Sequence, residues 1–261
     1  MPTALPPTAL VLSPHLDDAA FSCGGAMALL ADAGWRVVMA TAFTRSVVPA
    51  TGFALACQLD KGLPADVDYM ALRREEDRVA ARLLGAEARW LDLPEAPHRN
   101  YLNATALFNG VLPNDAVWQP LSKLVEGLLA ELAPALVLAP QGLGRHVDHL
   151  QMIRAVHHAA PHAPLAYFRD TPYAIRHKNA LPFEMPCGLG EFSVGIETGM
   201  CRKMAAACAY ASQVGFQFGG AEAAGLALRE FATNEGQGHL AERFLGTTDS
   251  RERIHEHLSL P

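Results

Sequence analysis

TALVLSPHLDDAAFSCGG, residues 8–25, passes from a short apolar run through a polar turn into a segment of small residues. Ala9–Leu12, stopped by Ser13-Pro14, read as a strand buried on both faces, since an apolar run this short suits the interior of a sheet. GGAMALLADAG (24–34) reads as a helix closed by Gly34, and RVVMATAF (36–43) as the next strand. Strand, helix and strand in such close succession form a βαβ unit, whose crossover makes the two strands parallel.

The same alternation continues along the chain. Residues 71–85 place Leu72, Val79, Ala80, Leu83 and Leu84 on one helical face, with Gly85 as C-cap, and RWLDL (89–93) follows as a strand. Residues 116–132 repeat Leu121, Leu124, Val125, Leu128, Leu129 and Leu132 at helical spacing behind an Asn114 or Asp115 cap; Pro134 ends this helix before the buried strand ALVLAP (135–140). A helix over 147–159, a strand LAYF (165–168), an extended FSVGI (192–196) and a helix over 198–212 complete the pattern. These elements predict an α/β fold: one Rossmann-like, three-layer domain over residues 1–261, with a mostly parallel sheet. Segments 44–70 and 94–115 read as long rim loops, and 213–250 is too rich in glycine to assign.

Composition narrows the function. Of 261 residues half are hydrophobic, enough for a sizeable core, and the net charge of -6 offers no basic surface for nucleic acid or an anionic membrane. The five cysteines (Cys23, Cys57, Cys187, Cys201, Cys208) form no CxxC pair, so neither a disulfide framework nor a cysteine zinc knuckle is expected. A cytoplasmic protein with a small-molecule partner follows, with no nucleic acid, no membrane, and homo-oligomerisation left open.

In doubly wound sheets, ligands bind beyond the carboxyl ends of the strands. SPHLDD brings His15, Asp17 and Asp18 to such an end, and PQGLGRHVDHLQ brings His146, Asp148 and His149 to the equivalent place after ALVLA. Alone, HxDD is more readily a turn or helix cap than a ligand set. The second cluster in the matching position turns the balance toward metal. Two histidines and one carboxylate are a frequent catalytic zinc set, and His15, Asp18 and His149 supply it. Asp17 and Asp18, as neighbours, cannot both ligate, so the other acid is free to act as base. Neither loop carries GxGxxG or GxxxxGK[ST], which speaks against a non-catalytic Rossmann-type nucleotide- or sugar-binding protein, the competing reading.

SPHLDDAAFSCGG together with HVDH resembles the PIG-L/LmbE family of zinc-dependent N-deacetylases, and LRREEDRVAARLLGA and KMAAACAYASQ extend the likeness over most of the chain. Two departures stand out: Leu16 where the family has Pro, and Ala19 where it has Glu. The resemblance implies hydrolysis of an acetamide on an N-acetylglucosamine derivative or glycoconjugate, with one Zn²⁺ on His15, Asp18 and His149. It further implies Asp17 as general base, a charged His146 at the oxyanion or leaving amine, Asp148 as orienting partner of His146, and Arg73 of the RxxE pair (with Glu76) at the substrate. An N/O donor set also accepts Fe²⁺, Co²⁺ or Mn²⁺. His98 and Arg99, in LDLPEAPHRNY, are further substrate candidates, and RDTPY (169–173) lies near a comparable strand end. His157, His158, His239, His255, His257 and Cys23 read as structural.

Overall fold

The computed structural model describes residues 5–258, apart from the side chain of His257. In chain order the elements are β1 (Thr8–Ser13), α1 (Asp18–Asp32), β2 (Arg36–Phe43), α2 (Gly52–Leu59), α3 (Tyr69–Leu84), β3 (Ala86–Leu93), α4 (Trp118–Leu132), β4 (Leu136–Pro140) and α5 (Val147–Ala159). They are followed by β5 (Leu165–Phe168), α6 (Tyr173–Arg176), β6 (Gly190–Gly195), α7 (Met200–Ala209), α8 (Ala211–Phe218), α9 (Ala221–Glu235), β7 (Ala241–Gly246) and α10 (Thr248–Leu258). All seven strands join one sheet in the order β3-β2-β1-β4-β5-β7-β6. The first five are parallel; β7 runs antiparallel to β5, and β6 antiparallel to β7.

β1 is central and wholly buried, so its alternate side chains feed two cores. Ala9 and Val11 pack with α1, α3, α7 and α9, whereas Leu10 and Leu12 pack with α4 and α5 on the other side. The result is the three-layer α/β arrangement with a mostly parallel sheet that the alternation predicted.

Several elements depart from the sequence reading. α1 begins at Asp18, not at Gly24, and bends at Cys23, where φ is -127°. A distant carboxylate caps the segment after the bend: Gly25 N and Ala26 N donate to Glu242 Oε1 and Oε2 at 2.9 and 2.8 Å. Buried Lys203 closes the arrangement, its Nζ donating to Ser22 O (3.2 Å) and Glu242 Oε1 (2.7 Å). Segment 44–70 contains α2, the 198–212 helix breaks at Tyr210 into α7 and α8, and 213–250 holds the rest of α8, all of α9 and β7, and the start of α10.

The buried face of α3 also differs. It carries Met70, Arg73, Asp77, Ala80, Ala81 and Leu84, while Val79 and Leu83 are exposed. Leu124 of α4 is likewise exposed. Val117 occupies the α4 cap position without a side-chain bond of its own; Asp115 accepts the Val117 N–H at 3.3 Å and also binds Arg99 and Tyr101.

Candidate metal centre and its cavity

Three adjacent strands deliver the site at their carboxyl ends. The β1–α1 turn carries His15, Asp17 and Asp18; the loop after β4 and the first turn of α5 carry His146, Asp148 and His149; Asp170 follows β5. The turn after β1 closes on itself: Ser13 Oγ donates to His15 O at 2.7 Å and accepts from Ala19 N at 3.1 Å. Within it Asp17 has φ 154° and ψ -33°, a conformation that costs a non-glycine residue energy and persists only where its surroundings enforce it. In the second loop Gly144, at φ 80°, lies against Tyr173, where a Cβ would stand 2.6 Å from the ring. This glycine is thus a site of close packing.

Side-chain donors converge on Asp18. Its Oδ2 lies 3.2 Å from His15 Nδ1 and 3.1 Å from His149 Nε2, while also accepting the His15 backbone N–H at 2.8 Å. His149 Nε2 is buried and lacks the alignment of a hydrogen bond. The far nitrogen of each ring is held by another acid: His149 Nδ1 meets Asp170 Oδ1 at 2.5 Å, and His15 Nε2 meets Asp148 Oδ2 at 2.9 Å. Carboxylates behind imidazoles fix tautomer and ring angle, leaving the inner nitrogens to a cation. Donor atoms around a tetrahedral ion at about 2.0–2.1 Å stand about 3.3–3.4 Å apart, close to the spacings of Asp18 from the two rings. The residues present therefore fit a metal. His15, His146 and His149 also offer ring nitrogens within 4.8 Å of one another.

Electrostatics follow from burial and charge. Burial works against charge on both imidazoles, yet Asp148 and Asp18 raise His15, and Asp18 with Asp170 lifts His149 to about 9. Burial also tends to raise Asp18, but His149 and His15 hold it well below the usual carboxylate range. Surroundings that retain protons on two imidazoles favour a cation in their place. Asp17 has no such partners: burial lifts it to about 7 against the pull of Arg73.

His146 and Asp148 depart from their expected pairing. His146 Nδ1 accepts the backbone N–H of Asp148 at 3.2 Å, whereas the Asp148 carboxylate serves His15, the Ala96 N–H (3.1 Å) and Arg99 (2.7 Å). The side chain therefore leaves the α5 end and faces the β1 turn. Burial and neighbouring His15 push His146 down to about 3, so this imidazole is neutral rather than charged, with its proton on Nε2.

A cavity of about 310 Å³ opens at the centre, lined by His15, Asp17, Asp18, His146 and Arg73 together with Phe53 and Phe216. His98 is half-buried on its wall. Arg99, expected at the substrate, is not among the residues lining it; its guanidinium pairs with Asp115 and Asp148. Arg73 reaches the cavity but pairs with Glu95 rather than Glu76, which caps α8 through Ser212 N and Oγ, both at 2.7 Å. Sequence reasoning assigned no role to Asp170, whose signal was its place after β5, nor to Tyr173, which packs edge-on against His149 with ring centroids 5.3 Å apart. His157 and His158 lie farther along α5 against Tyr167 and Trp118, and Cys23 sits in the α1 bend, as their structural reading implied.

The 2'-N-acetylparomamine deacetylase of Streptomyces fradiae is 36% identical over 168 residues, which are 63% of this chain but only 57% of that protein. The A40926 pseudoaglycone deacetylase superposes with a TM-score of 0.79 at 29% identity, over 91% of this chain and 96% of its own. The zinc-inhibited form of a teicoplanin deacetylase gives 0.79 at 25% identity, over 91% and 97%. The model of the PIG-L family, GlcNAc-PI de-N-acetylase, matches residues 10–160, more than half of the sequence and the span from β1 through the α5 histidines, and on this the chain belongs to the PIG-L family.

Proposed function

We propose that the protein is a metal-dependent N-deacetylase that hydrolyses the acetamide, or a related acyl amide, of an amino sugar or glycoconjugate. The observation that carries the reading is the convergence of His15 Nδ1, Asp18 Oδ2 and His149 Nε2, with acids behind both rings and Asp17 beside them at a cavity. His15, Asp18 and His149 would hold one Zn²⁺, though the donor set also accepts Fe²⁺, Co²⁺ or Mn²⁺. Bound there, the ion supplies Lewis-acid chemistry, polarising the amide carbonyl and acidifying water.

Asp17 accepts the proton of the attacking water, for which a carboxyl lifted to about 7 is suited near neutral pH. Neutral His146 offers its Nε2–H to the negative charge that develops on the amide oxygen. As the C–N bond breaks, Asp17 returns its proton to the departing amine; the products are the free amino sugar and the carboxylic acid, which releases its own proton to water. Asp148 and Asp170 hold the two imidazoles, and His98 contacts substrate from the cavity wall.

The named relatives act on amino sugar derivatives and antibiotic glycoconjugates, which supports this substrate class. The five free cysteines support a cytoplasmic setting. Metal analysis followed by a screen of N-acetylglucosamine conjugates for released acetate tests the proposal. The wild type is expected to carry close to one zinc per chain. Asp17→Asn is expected to retain that zinc and lose about 10²- to 10⁴-fold in kcat. Full turnover in Asp17→Asn would remove Asp17 from the reaction.

A further inference from the structure

We propose that Arg73 is a positioning residue for Asp17 rather than a contact for substrate, and that Glu95 locks it in that role; this rests on Asp17 being the proton acceptor. The guanidinium is already engaged. Nη1 donates to Glu95 Oε1 at 2.6 Å, Nη2 donates to Leu16 O at 3.0 Å, and the same Nη2 lies 3.7 Å from Asp17 Oδ1. Its Nε is buried without a hydrogen-bond partner, and Cζ stands 5.3 Å from the centre of the Tyr69 ring, which covers one face. Arg73 is 4% exposed and borders the cavity with its Nη1 and Nη2 donors already committed to these partners.

What it grips is the informative part. The Leu16 carbonyl belongs to the peptide immediately before Asp17, and the orientation of that peptide plane sets the φ of Asp17. That φ, 154°, is held against its intrinsic cost, and the hydrogen bond from Arg73 is the tie from outside the turn that acts on this peptide. One nitrogen thus addresses both the strained peptide and the carboxylate it carries. Tyr69 is in turn fixed by Gln213 Nε2 at 2.9 Å, and Glu76 and Asp77 of the same helix bind Ser212 and Tyr210. α3 is therefore anchored along its length to the α7–α8 junction, and presents Arg73 to the β1 turn from a fixed base.

The test uses the zinc-loaded full chain and an acetamide identified by the acetate-release screen. Arg73→Met is expected to lower kcat by about a hundredfold, the cost of a misplacement near 1 Å, with KM changed less than about threefold and zinc retained. Arg73→Lys, which keeps a cation but loses the fork, is expected to recover part of kcat. Glu95→Gln, a milder change that leaves the guanidinium in place, is expected to fall between them. A tenfold rise in KM with near-normal kcat would overturn the proposal and return Arg73 to the substrate. If Asp17→Asn keeps turnover, the assignment of the base has failed; if Asp17→Asn is inactive while Arg73→Met is fully active, only the positioning role has failed. A crystal structure of Arg73→Met gives a readout independent of turnover: the Leu16–Asp17 peptide is expected to relax from φ 154°, and an unchanged backbone would overturn the proposal.

Discussion

Each of the two inner imidazoles is held from behind by an acid that has further obligations of its own. Asp170, fully buried, accepts the N–H groups of Gln141 and Leu143 at 2.9 and 3.1 Å on Oδ2 while Oδ1 meets His149. The loop after β4 is thereby fastened to the loop after β5 through the residue that orients His149. Asp170→Asn keeps the size of the side chain but weakens its bond to the ring, and is expected to lower zinc affinity by about 10- to 100-fold, measured by competition with a chelator. The same assay separates the two ways of reading the histidines. If Asp18 is the third ligand, Asp18→Asn loses metal while His146→Ala keeps it; the reverse result would make the centre a three-histidine site. Asp148 was misjudged from sequence because it stands two residues from His146. At the start of a helix such closeness guarantees a backbone bond only, and the carboxylate is drawn to His15 and Arg99, which no local pattern connects to it.

At the scale of elements, what could be read from sequence was whatever local chemistry alone decides. RVVMATAF and LAYF match β2 and β5, and 147–159 matches α5, because continuous burial and helical periodicity are recorded in the segments themselves. The face of α3 was misread because charged residues are expected in solvent, whereas Arg73 and Asp77 are buried with partners from distant segments. The bend of α1 at Cys23 is not legible locally because the carboxylate that caps the segment after it, Glu242, lies on β7, far along the chain. Asp77 gives this tertiary override a measurable consequence. It accepts from Trp90 Nε1 (2.9 Å) and Tyr210 OH (2.7 Å), and burial lifts it from 3.8 to about 6 despite those bonds and the more distant Arg73. A folded-state value above the unfolded one means that the native chain holds this proton more tightly. Its favourable contribution is complete below pH about 4 and is lost as pH rises through about 6, a change of about 3 kcal/mol. Urea unfolding of wild type and Asp77→Asn between pH 4 and 7.5 should therefore differ in slope, with wild type losing stability relative to the variant as pH rises. Parallel profiles would mean that the carboxyl titrates alike in both states.

For the whole molecule, the order of the sheet is what turns scattered residues into one centre. β1, β4 and β5 are neighbours only in the folded state, so His15 and Asp18 meet His149, and His149 meets Asp170, only when the sheet is assembled. Their number and type were visible as two motifs at strand ends, but the acids behind them and the cavity wall of α2 and α8 were not, since each depends on how segments without internal periodicity dock. An unfolded chain cannot hold these ligands at coordination distance, so the free energy of metal binding adds to the free energy of folding. At free zinc a hundred times its dissociation constant, this linkage amounts to about 2.7 kcal/mol. For a chain of this size each kcal/mol moves the thermal midpoint by about 2–4 °C, so chelation should lower it by roughly 5–10 °C and added zinc should restore it. His149→Ala supplies the control, because it removes the imidazole between Asp18 and Asp170. Its midpoint should not respond to zinc. A zinc response in His149→Ala as large as that of the wild type would mean that the ion binds elsewhere on the native protein, and the convergence on Asp18 would lose its meaning as a metal centre.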